Sequence, residues 1–179
     1  PSFPYRLAHT VTGFYVTTGF VVIAVAAYYM RRGRFIEEAR TMFSMTLWLL
    51  SLSVPAQILI GDLHGLNTRE HQPAKLAAIE AHWETGSRVP LILFAIPDQE
   101  AEKNHFEIAI PGGASLILTH SATGRVPALK DVPPEERPPV ANVFYAFRIM
   151  VGIGMALILL GTVGAWLWWR KTLFETRWF

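Results

Sequence analysis

The sequence contains no cysteine. Disulfides, thiolate-bound metals, iron–sulfur clusters and covalently attached c-type haem are therefore excluded from these 179 residues. The sequence also lacks a dense block of lysine and arginine, and its formal net charge is only +2. Nucleic acid is consequently not an expected partner. Metal or redox chemistry in this chain has to rely on histidine, methionine, carboxylate and amide side chains.

Hydrophobic residues, in contrast, are abundant. They make up 51% of the chain, which includes six tryptophans and eleven phenylalanines. This fraction is high for a soluble domain, and large aromatic side chains are typical of the interface between a bilayer and water. Membrane lipid is therefore the first expected partner.

Three segments are apolar over about the 20 residues that a helix needs to cross a bilayer. They lie between Arg6 and Arg31, between Arg40 and Asp62, and between Arg148 and Arg170. The sequence thus predicts an all-α integral membrane protein with three transmembrane helices and a large extracytoplasmic loop between the second and third. The predicted divisions are two transmembrane helices with a short cytoplasmic link (1–61), the loop (62–140), and a transmembrane helix with a cytoplasmic tail (141–179).

Basic residues at the ends of the spans predict their orientation. The first span is followed by Arg31, Arg32, Arg34 and Arg40, and the third ends in Arg170 and Lys171. Because short cytoplasmic segments collect lysine and arginine, both ends are expected in the cytoplasm and the loop outside. The apolar runs at 89–97 and 114–119 are too short to span, so they are expected to be buried in a loop of turns and short helices.

A histidine and a methionine lie at one predicted depth inside the spans. At about 1.5 Å per helical residue, His9 is roughly 33 Å from Arg31, and Met150 is roughly 30 Å from Arg170. An imidazole and a thioether at one level are suited to bind a haem iron from both sides, and Arg148 is placed to meet a haem propionate. The alternative is a histidine among lipid headgroups and a methionine that only packs.

The stretch GDLHGLNTREHQPAKLAAIEAHWET, which follows the second span, is rich in proton-active side chains. Quinol oxidation releases protons along with electrons, so a quinol site needs such side chains at the membrane surface. The candidates are Asp62, Gln72, Lys75 and Glu80. Pro73 suits the first position of a helix, on which Glu80 lies about 140° from Lys75. A bend or a pocket must therefore bring these two together; the alternative is a solvated amphipathic helix.

Five motifs spread over nearly the whole chain match a known family. They are LAHTVTGFYVTTGF, GDLHG, QPAKLAAIEAHWET, FAIPDQE and VFYAFRIMVGIGM. On these motifs the sequence closely resembles the central part of subunit I of cytochrome bd-type quinol oxidases, of the short-loop type. The resemblance implies that His9 and Met150 are the axial ligands of a low-spin haem b (b558-type), with Arg148 as a haem partner.

The same resemblance assigns Asp62, Gln72, Lys75 and Glu80 to the quinol-oxidising loop, with Lys75 and Glu80 the strongest assignments. The implied function is the quinol-oxidising part of a terminal respiratory oxidase in the bacterial cytoplasmic (inner) membrane. Ubiquinol or menaquinol would be oxidised at the outer face, and electrons would pass through the low-spin haem b to oxygen-reducing haems. The implied partners are a second oxidase subunit and small accessory subunits.

The family subunit is far longer than this sequence, and the helices that bind its high-spin haem b and haem d have no counterpart here. The opening PSFPYRLAH also has neither an initiating methionine nor a signal peptide, so the sequence is expected to be a fragment. Two other classes stay open from the residues alone: a haem-free three-span scaffold that docks a partner subunit, and another membrane b-type cytochrome. His64, His71 and His82 are too irregularly spaced for zinc and are expected to contact water or loop backbone.

Overall fold

The computed structural model describes residues 2–176, and these are mostly helical. The α-helices are α1 (Phe3–Arg31), α2 (Ile36–His71), α3 (Pro73–Glu80), α4 (Gly113–Thr119) and α5 (Val140–Trp169). The strands are β1 (Gly86–Ser87), β2 (Leu91–Asp98), β3 (Lys103–Ile110) and β4 (Arg125–Val126). Two 3₁₀ turns, Leu129–Asp131 and Pro134–Glu136, lead into α5.

The chain forms two compact units. The helical unit consists of Phe3–Asp62 together with residues 153–176, and the loop unit is Leu63–Gly152. Helices α1, α2 and α5 are each long and apolar enough to cross a membrane. The prediction of a mostly helical membrane protein with three spans is therefore confirmed.

In the helical unit, α1 and α2 pack along one stripe of each helix. The buried residues of α2 recur every three or four positions, which places them on a single face. They are Ala39, Phe43, Leu47, Leu50 and Val54. On α1, Gly19 faces Leu50, and a Cβ added at Gly19 would lie only 2.7 Å from a methyl group of Leu50. A glycine at this position thus lets the two helices approach closely.

Helix α2 is longer than the sequence predicts, because it continues past Asp62 to His71. The first part of the predicted loop is therefore helical. The helix ends where Gln72 takes up a φ of −140° in front of Pro73. A proline disfavours the helical conformation of the residue before it, and this explains the position of the break.

A β-hairpin occupies the middle of the loop unit, where the sequence had predicted turns and short helices. Strands β2 and β3 pair antiparallel from Leu91–Ile110 to Asp98–Lys103, with irregularities in the register around Phe94. Branched and aromatic residues favour strands, which accounts for the pairing. The second apolar run does form a short helix, α4, whose residues Ala114, Ser115 and Leu118 are buried as predicted.

The main core of the loop unit joins α3, β2 and the first turns of α5. Its buried members are Ala77, Ala78, Ala81, Trp83, Ile92, Ala95, Leu129, Val140 and Phe144. Small alanines on α3 let the large Phe144 side chain approach, and this ring is fully buried. The core thereby sets the position of the polar side chains at the end of α3 and on α5.

Candidate functional site

Helix α3 carries two of the predicted quinol-site residues, Lys75 and Glu80, and a third, Gln72, caps its start. Pro73 is its first residue, as predicted, and Gln72 immediately precedes it. The helix ends at Ala81 in the left-handed conformation, where the backbone N–H bonds back to the carbonyls of α3. Lys75 and Gln72 are exposed, whereas Glu80 is only 4% exposed. The two charged residues thus lie on different sides of one short helix.

The partner of Glu80 is Arg148 on α5. An Nη atom of Arg148 donates to Oε2 of Glu80 at 2.7 Å, and the two side chains are 14% and 5% exposed. The sequence predicted that a bend or a pocket would join Glu80 to Lys75. The structure shows a buried ion pair between Glu80 and Arg148, which no motif spacing indicated. The role of Arg148 as a haem partner stays a prediction.

Arg148 is held by two further contacts within the loop unit. Its Nε donates to the carbonyl oxygen of Ile92 in β2 at 2.6 Å. Its guanidinium carbon lies 4.9 Å from the ring centre of Phe144, within the range of a cation–π interaction. The guanidinium therefore connects α5, the hairpin and the end of α3.

His82 lies beside this pair and is also buried, at 4% exposure. Its Nε2 lies 2.9 Å from the carbonyl oxygen of Pro90 and donates to it, which confirms the predicted contact with loop backbone. Burial lowers the pKa of His82, and this outweighs the opposing effect of the Glu80 charge. The ring is thus neutral near pH 7, and its Nδ1 has no hydrogen-bond partner among the described residues.

A cleft of about 280 Å³ opens next to His82. Its wall includes Trp83, whose Nε1 donates to Oδ1 of Asn104 at 2.9 Å. Asn104 in turn donates to the carbonyl oxygen of Ala81 at 3.0 Å and to Oε2 of Glu107 at 3.1 Å. These bonds fix the end of α3 to β3, so the turn that follows Glu80 is held rigidly.

The remaining quinol-site candidate, Asp62, belongs to the helical unit. It is half-buried and lies inside α2, well before that helix ends at His71. Asp62 is thus helical, and its predicted place at the start of the outer loop (62–140) stays a prediction. Its role in quinol binding stays a prediction.

The predicted haem ligands each lie in a helix. In the helical unit, the amide nitrogen of Gln57 donates to the backbone oxygen of His9 at 2.9 Å. A Cβ at Gly61 would lie 3.2 Å from Cε1 of His9, so glycine leaves room beside the imidazole. In the loop unit, the Met150 side chain is 49% exposed, and a Cβ at the neighbouring Gly152 would meet nothing within 4 Å.

The donor atoms of these two side chains fit haem iron. The imidazole and the thioether are both established ligands of haem iron, and Gly61 leaves space beside the imidazole. Within residues 2–176, no three histidine, cysteine or carboxylate side chains group together as a metal site. Haem iron needs no such group, because the porphyrin supplies its equatorial ligands.

Taken together, the fold is that of an integral membrane protein with three spans and a folded loop between the second and third. The comparison with known families is specific: the model of cytochrome bd terminal oxidase subunit I matches residues 1–179. The chain belongs to this family.

Three relatives illustrate the match. The cytochrome bd-II ubiquinol oxidase subunit 1 of Escherichia coli (strain K12) is 32% identical over 81% of this chain and 28% of its own length. The cytochrome bd ubiquinol oxidase subunit 1 of Bacillus subtilis (strain 168) is 28% identical over 100% of this chain and 40% of its own. A solved bd oxidase structure from Geobacillus thermodenitrificans superposes with a TM-score of 0.84 at 32% identity, covering 98% of this chain and 39% of that one. The chain thus spans well under half the length of these relatives.

Proposed function

We propose that this chain is the quinol-oxidising part of a terminal respiratory oxidase. Quinol binds to the loop unit at the outer membrane face, releases its protons to the aqueous side, and gives its electrons to a low-spin haem b. The proposal is supported by membership of the family and by relatives named as ubiquinol oxidases. The observation that carries it is the buried carboxylate of Glu80, which lies on the same short helix as Lys75 and is paired with Arg148 of α5.

The buried and the exposed residues of α3 and its start have different proposed roles in proton transfer. The Glu80 carboxylate lies out of water, so Oε1 or Oε2 is suited to accept a hydrogen bond from a quinol hydroxyl and to hold its proton. Lys75 of α3 and Gln72 just before it are exposed, so they are suited to bind a quinol oxygen and to pass protons to water. Asp62 is proposed as a further polar contact of the headgroup.

His9 and Met150 are proposed to hold the low-spin haem b as its axial ligands. When held by these two side chains, a haem would supply one-electron transfer. Reduction of oxygen would take place at the high-spin haem b and haem d of the complete subunit. The proposed location is the bacterial cytoplasmic membrane, with a second oxidase subunit as the partner and ubiquinol or menaquinol as the substrate.

Substitution of the α3 residues tests the proposal. In the complete oxidase, Lys75→Ala and Glu80→Gln are each expected to lower quinol oxidation on the order of 10²-fold, because each removes a proton-handling group. The haem absorbance should be unchanged in both. The measurement is steady-state quinol oxidation per haem.

Lys130→Ala is the matched control. Lys130 is also a partly exposed lysine of the loop unit, and its Nζ contacts Oε1 of Glu84 at 3.1 Å. It should retain quinol oxidation. Full turnover in both α3 variants would remove Lys75 and Glu80 from the site.

A further inference from the structure

A cavity of about 480 Å³ lies in the helical unit, where the chain turns after the end of α5. It is lined by Trp168, Trp169, Lys171, Leu173 and Phe174. We propose that this cavity binds one phospholipid whose headgroup carries a net negative charge, with Lys171 at the phosphate. None of the lining residues belongs to the proposed quinol site or haem site, so the inference stands apart from the proposed function.

The apolar walls of the cavity are held by packing within the helical unit. The Trp168 ring meets that of Trp48 on α2 edge to face, with the ring centres 5.2 Å apart. Phe174 meets Phe43 in the same manner at 6.0 Å, and Leu173 is only 6% exposed. The walls are therefore part of the folded unit, and the cavity volume is in the range of sites that bind small molecules.

The cavity lies at the end of a span, where phospholipid headgroups are found. Trp169 is the last residue of α5 and is 73% exposed, as is typical of a tryptophan at the interface between bilayer and water. Basic residues outnumber acidic ones in segments 31–40 and 170–175: Arg31, Arg32, Arg34, Arg40, Arg170 and Lys171 against Glu37, Glu38 and Glu175. This excess of positive charge favours an anionic lipid over a zwitterionic one.

The backbone of Lys171 indicates that its side chain has a function. Lys171 has a φ of 58°, in the left-handed region that favours glycine. Its N–H bonds to the oxygen of Trp168 at 2.9 Å, and the N–H of Thr172 bonds to that of Leu167 at 3.0 Å. This is the pattern that ends many helices, with glycine as the usual residue at the left-handed position. Because a lysine is strained there and a glycine is not, formation of the turn does not explain the lysine.

The charge of Lys171 and its surroundings suit a phospholipid headgroup. Among the described residues, no carboxylate forms an ion pair with Lys171, and its ammonium has three N–H donors for phosphate oxygens. Arg40 brings a second positive charge to the wall, because its guanidinium carbon lies 5.3 Å from the centre of the Phe174 ring. The indoles of Trp168 and Trp169 offer apolar surface to the upper acyl chains and N–H donors to the ester oxygens.

The experiment is a lipid titration of the complete oxidase, from which bound lipid has first been removed with detergent. The probes are phosphatidylglycerol and phosphatidylcholine with identical acyl chains, and bound lipid is counted by native mass spectrometry. Lys171→Gly is expected to weaken the affinity for phosphatidylglycerol about fivefold, the effect of one basic side chain near an anionic headgroup. Its affinity for phosphatidylcholine should stay within about twofold of the parent value. Lys171→Arg should retain the preference for phosphatidylglycerol.

Two controls separate a binding site from a structural effect. Thermal unfolding of Lys171→Gly should occur at the same or a higher temperature than that of the parent, because glycine relieves the strained φ. A loss of lipid affinity in this variant would then not come from damage to the fold. Arg34→Gln removes one positive charge from the exposed link between α1 and α2, outside the cavity wall. It should keep the affinity for phosphatidylglycerol within about twofold of the parent value.

Four results would overturn the proposal. They are equal affinity of the parent for the two lipids, unchanged affinity of Lys171→Gly for phosphatidylglycerol, an equal loss in Arg34→Gln, and displacement of phosphatidylglycerol by inorganic phosphate. The last result would show a site for free phosphate and not for lipid. If Lys171→Gly does not assemble, Lys171→Gln decides the question by the same comparison, because it keeps a long side chain without the charge.

Discussion

At the scale of single residues, helical periodicity predicts the exposure of Glu80 and Lys75 but not their contacts. The period of an ideal helix places them about 140° apart, and the structure agrees, because one is buried and the other exposed. A bend or a pocket was expected to join them, and the structure shows Glu80 paired with Arg148. Periodicity predicts which side of a helix a residue occupies, but not which distant residue it meets there.

The haem ligands are tested by removing the donor atoms. His9→Ala and Met150→Leu, each in the complete oxidase, should abolish or shift the absorbance bands of a low-spin haem b, because each variant loses an axial ligand. The measurement is a reduced-minus-oxidised spectrum. Unchanged bands in both variants would refute the assignment, and a parent enzyme without any such bands would favour the scaffold that only docks a partner.

His82 predicts how the stability of the loop unit depends on pH. Its pKa is lowered from the ordinary value of 6.5 by burial, while Glu80 and Glu107 oppose the shift and Arg148 adds to it. As the pH falls below 6.5, His82 takes up a proton in the unfolded chain but stays neutral in the folded chain. The unfolded state therefore binds more protons. The contribution of neutral His82 to the free energy of unfolding is therefore fully present above about pH 6.5, and it decreases as the pH falls below that value.

The expected result is faster proteolysis of the loop unit at about pH 5.5 than at about pH 7.5, and a smaller difference in His82→Asn. The carboxylates of Asp98, Glu102 and Asp131 do not share this window. Hydrogen bonds lower their pKa from ordinary values of 3.8, 4.5 and 3.8, so their stabilisation is lost only at more acid pH. An equal pH response in parent and variant would show that His82 is not the cause.

At the scale of elements, the sequence located helices better than strands. The break between α2 and α3 follows from Gln72–Pro73, a local signal that also predicts the start of α3. The hairpin of β2 and β3 was missed, because its register depends on cross-strand pairs such as Leu91–Ile110. A short apolar run does not say whether it pairs as a strand or packs as a helix.

The junction of the hairpin and α4 yields a prediction about packing. A Cβ added at Gly113 would lie 2.8 Å from Cβ of Leu91, and both atoms are attached to backbone, so the elements must move apart. Gly113→Ala should destabilise the loop unit by about 1–3 kcal/mol, as overpacking does elsewhere. Thermal unfolding or protease resistance of the loop unit measures this loss.

Gly86→Ala is the control for that substitution. Its added Cβ would meet Cγ2 of Val89 at 3.8 Å, which is an ordinary contact. It should therefore be neutral or slightly stabilising, because alanine restricts the unfolded chain more than glycine does. Equal stability of the two variants would show that the contact between Gly113 and Leu91 does not limit the packing.

At the scale of the whole molecule, the arginines beside the spans predict that the loop unit faces outward. The absence of cysteine makes this testable without background labelling from these residues. Glu100→Cys lies in the exposed turn of the hairpin, and Arg34→Cys lies in the exposed link between α1 and α2. A thiol reagent that cannot cross membranes should label Glu100→Cys in intact cells, and Arg34→Cys only after the cells are broken. The reverse pattern would invert the proposed topology.

The sequence by itself determined the three spans and the membrane class of this protein. A run of about 20 apolar residues is a local feature of the sequence, and as a helix it is stable in the hydrocarbon core of a membrane. Its motifs also determined the family, which the family model confirms over residues 1–179. Only the tertiary structure decided the partner of Glu80, since Arg148 lies 68 positions further along the chain. Contacts over such separations depend on how α3, β2 and α5 pack around Phe144, and no local pattern in the sequence encodes that packing.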